Sequence, residues 1–197
     1  MAQVFSVNAV GYVNKTVPSG GKLALLSNPL DAGAGNNTIA KLFAGVPAGT
    51  QIYKYDGTKF IIAVFDDIDN AFLPPEAAAT EVKPGEGVFV RNNSAQNITV
   101  TFVGEVPQGT LSNPIPAGLS IRSSQVPQSG PITDLGYVGV PGDQIFKFNV
   151  DTQGYSPFNF DDIDNAWLPS VPTLDVGEAV FFRKNAAGTW NRTFSVN

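Results

Sequence analysis

Apolar and polar positions along this chain fall into short runs of β-branched and aromatic residues separated by turn-forming ones. Residues 4–7, 52–55, 60–65, 88–91 and 98–103 each read as a strand, because branched and aromatic side chains suit a pleated, half-buried surface. Turn signals divide them: Asp56-Gly57, Pro84-Gly85, Pro107-Gln108-Gly109, Pro141-Gly142 and Gln153-Gly154. One short helix is predicted over residues 38–43, where Ile39, Leu42 and Phe43 share a face and Asn37 or Thr38 can cap the first turn. Such a helix would close one end of a barrel or sandwich.

The pattern occurs twice. Phe65-Asp66-Asp67-Ile68-Asp69-Asn70-Ala71-Phe72-Leu73-Pro74 recurs as Phe160-Asp161-Asp162-Ile163-Asp164-Asn165-Ala166-Trp167-Leu168-Pro169, with Phe72 and Trp167 the one difference. Gln51-Ile52-Tyr53-Lys54-Tyr55 answers to Gln144-Ile145-Phe146-Lys147-Phe148, and Gly87-Val88-Phe89-Val90-Arg91 to Ala179-Val180-Phe181-Phe182-Arg183. Val17-Pro18-Ser19-Gly20 matches Ile115-Pro116-Ala117-Gly118, and Thr101-Phe102-Val103 matches Thr193-Phe194-Ser195. Each half spans about 95 residues, an ordinary domain size. The expectation is an all-β chain of two tandem, internally duplicated sandwich-like or barrel-like domains, residues 1–106 and 107–197, with at most one or two short helices. Pro and Gly between residues 104 and 116 mark the junction.

Composition narrows the chemistry. Hydrophobic residues make up 43% and charged residues 15%, with 20 Gly and 15 Pro, which suits short strands and tight turns and argues against disorder. The net charge is −5 and the 12 basic residues are scattered, so no nucleic-acid-binding face is expected. No Cys and no His are present, which removes disulfides, thiolate nucleophiles, imidazole bases and thiolate or imidazole metal sites. No apolar run reaches the length of a membrane-spanning helix, and Ala2-Gln3 after Met1 reads as the start of a mature chain whose export signal has been cut off.

The repeated acidic segment is the one place where chemical groups concentrate. Asp66, Asp67, Asp69 and Asn70, and in the second half Asp161, Asp162, Asp164 and Asn165, supply the oxygen ligands that calcium takes, although the EF-hand spacing is not met. Alternatively the aspartates form Asx-turns while Phe65, Ile68 and Phe72 or Trp167 anchor the loop in the core. Two near-identical acidic loops do not resemble the asymmetric acid and base pair of a glycosidase, so no catalytic residues, and no cofactor beyond possible calcium, are assigned. Tyr53, Tyr55, Tyr155, Trp167 and Trp190 could stack on sugars or simply fill the core. Asn-x-Ser/Thr triplets at Asn14, Asn36, Asn92, Asn97 and Asn191 mark candidate glycan acceptors at the surface.

The opening Asn8-Ala9-Val10-Gly11-Tyr12-Val13-Asn14, then Val17-Pro18-Ser19-Gly20, residues 23–29 and Gly85-Glu86-Gly87-Val88-Phe89-Val90-Arg91, resemble a family of uncharacterised secreted β-rich duplicated-domain proteins of environmental bacteria. The resemblance covers nearly the whole chain and implies an extracellular or cell-surface setting, without lending catalytic residues. The expected function is that of a non-enzymatic structural protein, a self-assembling head-to-tail subunit of a filament, sheath or surface layer. A carbohydrate-binding or calcium-dependent adhesion module is the alternative. The match between Phe5-Ser6-Val7-Asn8 and Phe194-Ser195-Val196-Asn197 suggests strand pairing between successive copies.

Overall fold

The computed structural model describes residues 9–196. The expected strand at residues 4–7, and with it one side of the Phe-Ser-Val-Asn match, lies outside them.

In the first half the strands are β1 (Val10–Val17), β2 (Lys22–Ser27), β3 (Gln51–Tyr55), β4 (Phe60–Asp66), β5 (Ala71–Leu73), β6 (Gly87–Asn92) and β7 (Ile98–Glu105). In the second they are β8 (Gly109–Ile115), β9 (Gly118–Arg122), β10 (Gly130–Pro131), β11 (Gln144–Asn149), β12 (Gly154–Asp161), β13 (Ala166–Leu168), β14 (Thr173–Leu174), β15 (Val180–Lys184) and β16 (Gly188–Phe194). Two one-turn helices, α1 (Ile39–Leu42) and α2 (Pro75–Ala78), belong to the first half. The protein is all-β. Each half joins a two-stranded ribbon, β1-β7 or β8-β16, to a five-stranded sheet, and the sheet orders β2-β6-β3-β4-β5 and β9-β15-β11-β12-β13 correspond strand for strand. The extra β10-β14 pair stands where the first half has a single bridge between Thr38 and Glu81.

Three sequence expectations need correction. Thr38 occupies the N-cap of α1 but makes no side-chain cap bond. Asn37 is instead drawn into a buried amide network, accepting from Asn28 Nδ2 (3.0 Å) and the Ala32 amide (3.0 Å) while donating to Asp31 (2.7 Å). The junction is shorter than the Pro and Gly content suggested, because residues 109–115 form β8, with Pro114 tolerated on a strand paired on one side only. Finally, Thr101-Phe102-Val103 does not match Thr193-Phe194-Ser195 in space. Val17 pairs with Ile98 and Ile115 with Gly188, so the counterpart of buried Val100 is buried Trp190 and the sequence match is two residues out of register.

Period-2 alternation gives each five-stranded sheet two apolar faces. One packs on the ribbon of its own half: Leu26, Ile52, Val88 and Val90 meet Val17, Val100 and Phe102, and in the second half Ile145, Val180 and Phe182 meet Ile115 and Trp190. The other face carries Leu25 and Phe89 from the first half and Ile121, Phe148 and Ala179 from the second, which form one shared core. Ring contacts cross between the halves at Phe89–Phe148 (5.1 Å), Tyr55–Phe181 (6.1 Å) and Phe89–Phe181 (6.0 Å), each such pair worth about 0.5–1.5 kcal/mol beyond its buried area.

The contacts are reciprocal. By register Leu26 corresponds to Arg122, Ser27 to Ser123, Gly85 to Gly177 and Glu86 to Glu178. Leu26 bridges to Glu178 and Arg122 bridges to Glu86. The Ser27 amide donates to the Gly177 carbonyl (2.9 Å), and the Ser123 amide to the Gly85 carbonyl (2.8 Å). Phe89–Phe148 and Tyr55–Phe181 are likewise one contact made in each direction. Reciprocity of this kind defines a two-fold interface, so the halves clasp each other like the subunits of a symmetric dimer fused into one chain. The equivalent positions Gly87 and Ala179 meet near the axis. A Cβ on Gly87 would lie 2.5 Å from the Ala179 Cβ and 2.5 Å from Ile121 Cγ2, so only one of the two can carry a methyl group.

Candidate functional site

The repeated acidic segments are hairpin tips in equivalent places. Phe65 pairs with Phe72 across β4 and β5, and Phe160 with Trp167 across β12 and β13. Their rings stack edge-to-face at 5.2 and 5.3 Å, and Phe72 and Trp167 are buried. Asp66 Oδ1 accepts the amides of Ile68 (2.9 Å) and Asp69 (3.0 Å), and Asp161 Oδ1 accepts those of Ile163 and Asp164 (both 2.9 Å). These Asx-turns start the reversal. Asn70 (φ 49°) and Asn165 (φ 50°) complete it in the left-handed region, which Asn tolerates far better than branched residues.

One part of the anchoring expectation is wrong. Ile68 and Ile163 are 90% and 88% exposed, because a four-residue tip places its second residue at the apex, away from both sheets. Of the calcium candidates, Asp66 and Asp161 give an oxygen to backbone amides, while Asp67, Asp69, Asp162 and Asp164 occupy the exposed turn with the reversing Asn70 and Asn165. Among the described residues no group of three or more acidic side chains is arranged to hold a metal ion.

A second feature is the shared aromatic face between the halves. Tyr55–Phe60 (5.1 Å) and Phe60–Phe89 (6.3 Å) are answered by Phe148–Tyr155 (5.3 Å) and Tyr155–Phe181 (5.9 Å), so the rings form one connected cluster. The cluster opens to solvent as two clefts. One, about 460 Å³, is lined by Leu23, Tyr53, Phe60, Phe89, Arg91 and Tyr155; the other, about 250 Å³, by Leu119, Phe146, Tyr155 and Phe181. The two are counterparts under the two-fold relation. Burial raises the pKa of Tyr155. Trp190 is not part of this surface: it is buried and donates its indole N–H to the Leu135 carbonyl (2.8 Å). A larger cleft of about 810 Å³ runs beside α1, past Phe65, Asn70 and Phe72, but its walls are mainly small apolar side chains with few polar groups.

The third feature was not anticipated. In the second half Lys184, Asp143 and Tyr137 are buried together: Lys184 Nζ lies 2.6 Å from Asp143 Oδ1 and 2.8 Å from Oδ2, and Tyr137 donates to Oδ2 at 2.5 Å. The first half has Thr50 and Asn92 at the corresponding places, both buried. A paired change from neutral to oppositely charged residues between repeats was the signal available in the sequence. Burial, reinforced by the neighbouring Asp143 carboxylate, pushes the Tyr137 hydroxyl far above the usual phenol range. The exposed-sequon expectation fails at Asn92, which is fully buried and donates to the Val17 and Gln96 carbonyls (3.2 and 2.8 Å).

No protein family, curated protein or solved structure matches this chain. Among the described residues no helix is long and apolar enough to cross a membrane.

Proposed function

We propose that this protein is an extracellular structural subunit that associates with copies of itself, through contacts that include strand β1. The observation that supports this reading is the ribbon of the first half. β1 pairs only with β7 among the described residues, and the outer face of the pair presents Val10 (69% exposed), Tyr12 (73%) and Val103 (55%). A long edge strand bearing apolar side chains is a template for strand addition. The interface between halves is closed on itself and cannot propagate, so a head-to-tail filament, sheath or surface layer must use other surfaces, and among the described residues no second strand pairs with β1. Extracellular placement is part of the same proposal, and the resemblance of residues 8–14, 17–20 and 85–91 to secreted proteins is what supports it. Negative-stain imaging of the purified protein is expected to show extended assemblies that the double substitution Val10→Lys, Tyr12→Lys on the outer face of β1 shortens or abolishes. Unchanged assemblies in that variant would remove the contact through β1, and a protein that stays monomeric at high concentration would remove the structural reading.

A carbohydrate-binding role has its own support in the paired clefts, where the half-exposed rings of Phe60 and Tyr155 offer apolar faces with Arg91 nearby. An oligosaccharide that raises the melting temperature of the protein but not of Tyr155→Ala would favour it, whereas a rise with calcium alone would favour the acidic hairpins.

A further inference from the structure

We propose that Lys184 and Asp143 condense to form an amide cross-link between their side chains. Asp143 stands just before β11 and Lys184 ends β15, neighbouring strands in which Gln144 pairs with Arg183, so the register brings the two side chains to the same place. Both are buried, and the only cation and carboxylate within the triad face each other at 2.6 Å. The amine nitrogen therefore already rests against both oxygens of the carboxyl group it would attack (2.6 and 2.8 Å), the proximity that gives intramolecular reactions large effective concentrations. Oδ2 also accepts from the Tyr137 hydroxyl (2.5 Å) and the Val140 amide (3.1 Å). Two donors on one carboxyl oxygen polarise the carbon and hold negative charge as it develops there during attack. Tyr137 keeps its proton because its pKa is raised by burial and by Asp143, so it remains a donor.

The step balances within the triad. A proton passes from the Lys184 ammonium to Asp143, giving an uncharged pair of the kind a low-dielectric interior favours. Nζ then forms a bond to Cγ, with the oxyanion at Oδ2 held by Tyr137 and Val140. The bond from Cγ to Oδ1 breaks, and Oδ1 departs as water carrying two of the three original ammonium protons. The third remains on the amide nitrogen, and no oxidant or co-reactant is needed. A chain with no Cys would thereby gain a covalent tie across β11 and β15. The first half, with Thr50 and Asn92 in these places, cannot form one.

Mass spectrometry of the intact chain, followed by peptide mapping, decides the matter. The expected mass is lower than that of the sequence by one molecule of water, with a branched peptide joining residues 143 and 184. Lys184→Arg and Asp143→Ala are each expected at full sequence mass, and Tyr137→Phe is expected to lose water at least tenfold more slowly after refolding. If wild-type protein has its full sequence mass, or maps with free Asp143 and Lys184 peptides, the proposal is overturned whatever the variants do. A cross-link that persists in Lys184→Arg would equally overturn it.

Discussion

At the scale of single residues, the equivalent anchors Phe72 and Trp167 give the most direct test of packing. Each is buried and stacked on its partner Phe, so replacement by Ala is expected to cost about 3–5 kcal/mol in denaturant unfolding. Trp167→Phe, which installs the residue of the first half, is expected to cost less than about 1.5 kcal/mol, partly because the Trp167 indole N–H has no partner and its removal relieves an unsatisfied donor. Tyr137 carries a pH dependence. Its folded pKa is raised, by burial first and Asp143 second, so the unfolded chain releases the phenolic proton earlier as pH rises. The stability tied to this group is complete below the ordinary value of 10.0 and is lost above it. Tyr155, also raised by burial, acts in the same direction, whereas Lys54, lowered mainly by desolvation, opposes it by adding stability as pH approaches 10.5. Melting temperatures are expected to fall above pH 10.0, and to fall less in Tyr137→Phe. An identical fall in that variant would separate Tyr137 from the effect.

At the scale of elements, the repeated hairpin separates residues that shape the turn from residues that only ride on it. Asp66→Ala and Asp161→Ala each strip acceptors from two backbone amides and are expected to cost about 1 kcal/mol. Ile68→Asn at the exposed apex is expected to change stability by less than about 0.5 kcal/mol. Equal losses at the aspartates and at Ile68 in chemical denaturation would contradict this division. The hairpin was legible in the sequence because its turn residues and its aromatic anchor are local and occur twice. The apex Ile68 was misplaced because an apolar letter between aspartates carries no information about which side of a tight turn it leaves. The two-fold contact was less legible still. Tyr55, Phe89, Phe148 and Phe181 sit on strands with apolar residues on both faces, and alternation alone cannot say whether the second face meets a ligand, solvent or the other half. Lys184 and Asp143 were missed because nothing local distinguishes a buried ion pair from two solvated charges.

At the scale of the whole molecule, the two halves are held as one body by a shared core and reciprocal backbone contacts. The β2 edge that would otherwise be open is covered by residues 177–179 and by Gln153, whose side-chain amide accepts from the Leu23 amide (2.9 Å) and donates to its carbonyl (3.0 Å). Gly87 is the narrowest point of that contact, so Gly87→Val is expected to destabilise the chain by about 1–3 kcal/mol and to separate one unfolding transition into two. With the clasp consuming one face of each half, the self-association proposed above would use the ribbons, and the exposed Val10, Tyr12 and Val103 set the contrast between the first ribbon and an ordinary polar surface. Sedimentation velocity on the full chain and on the double variant Val10→Lys, Tyr12→Lys tests self-association most directly. Concentration-dependent, fast-sedimenting species are expected from the full chain and a single monomeric boundary from the variant. A monomeric full chain at every concentration, or the same large species in both proteins, would contradict assembly through β1.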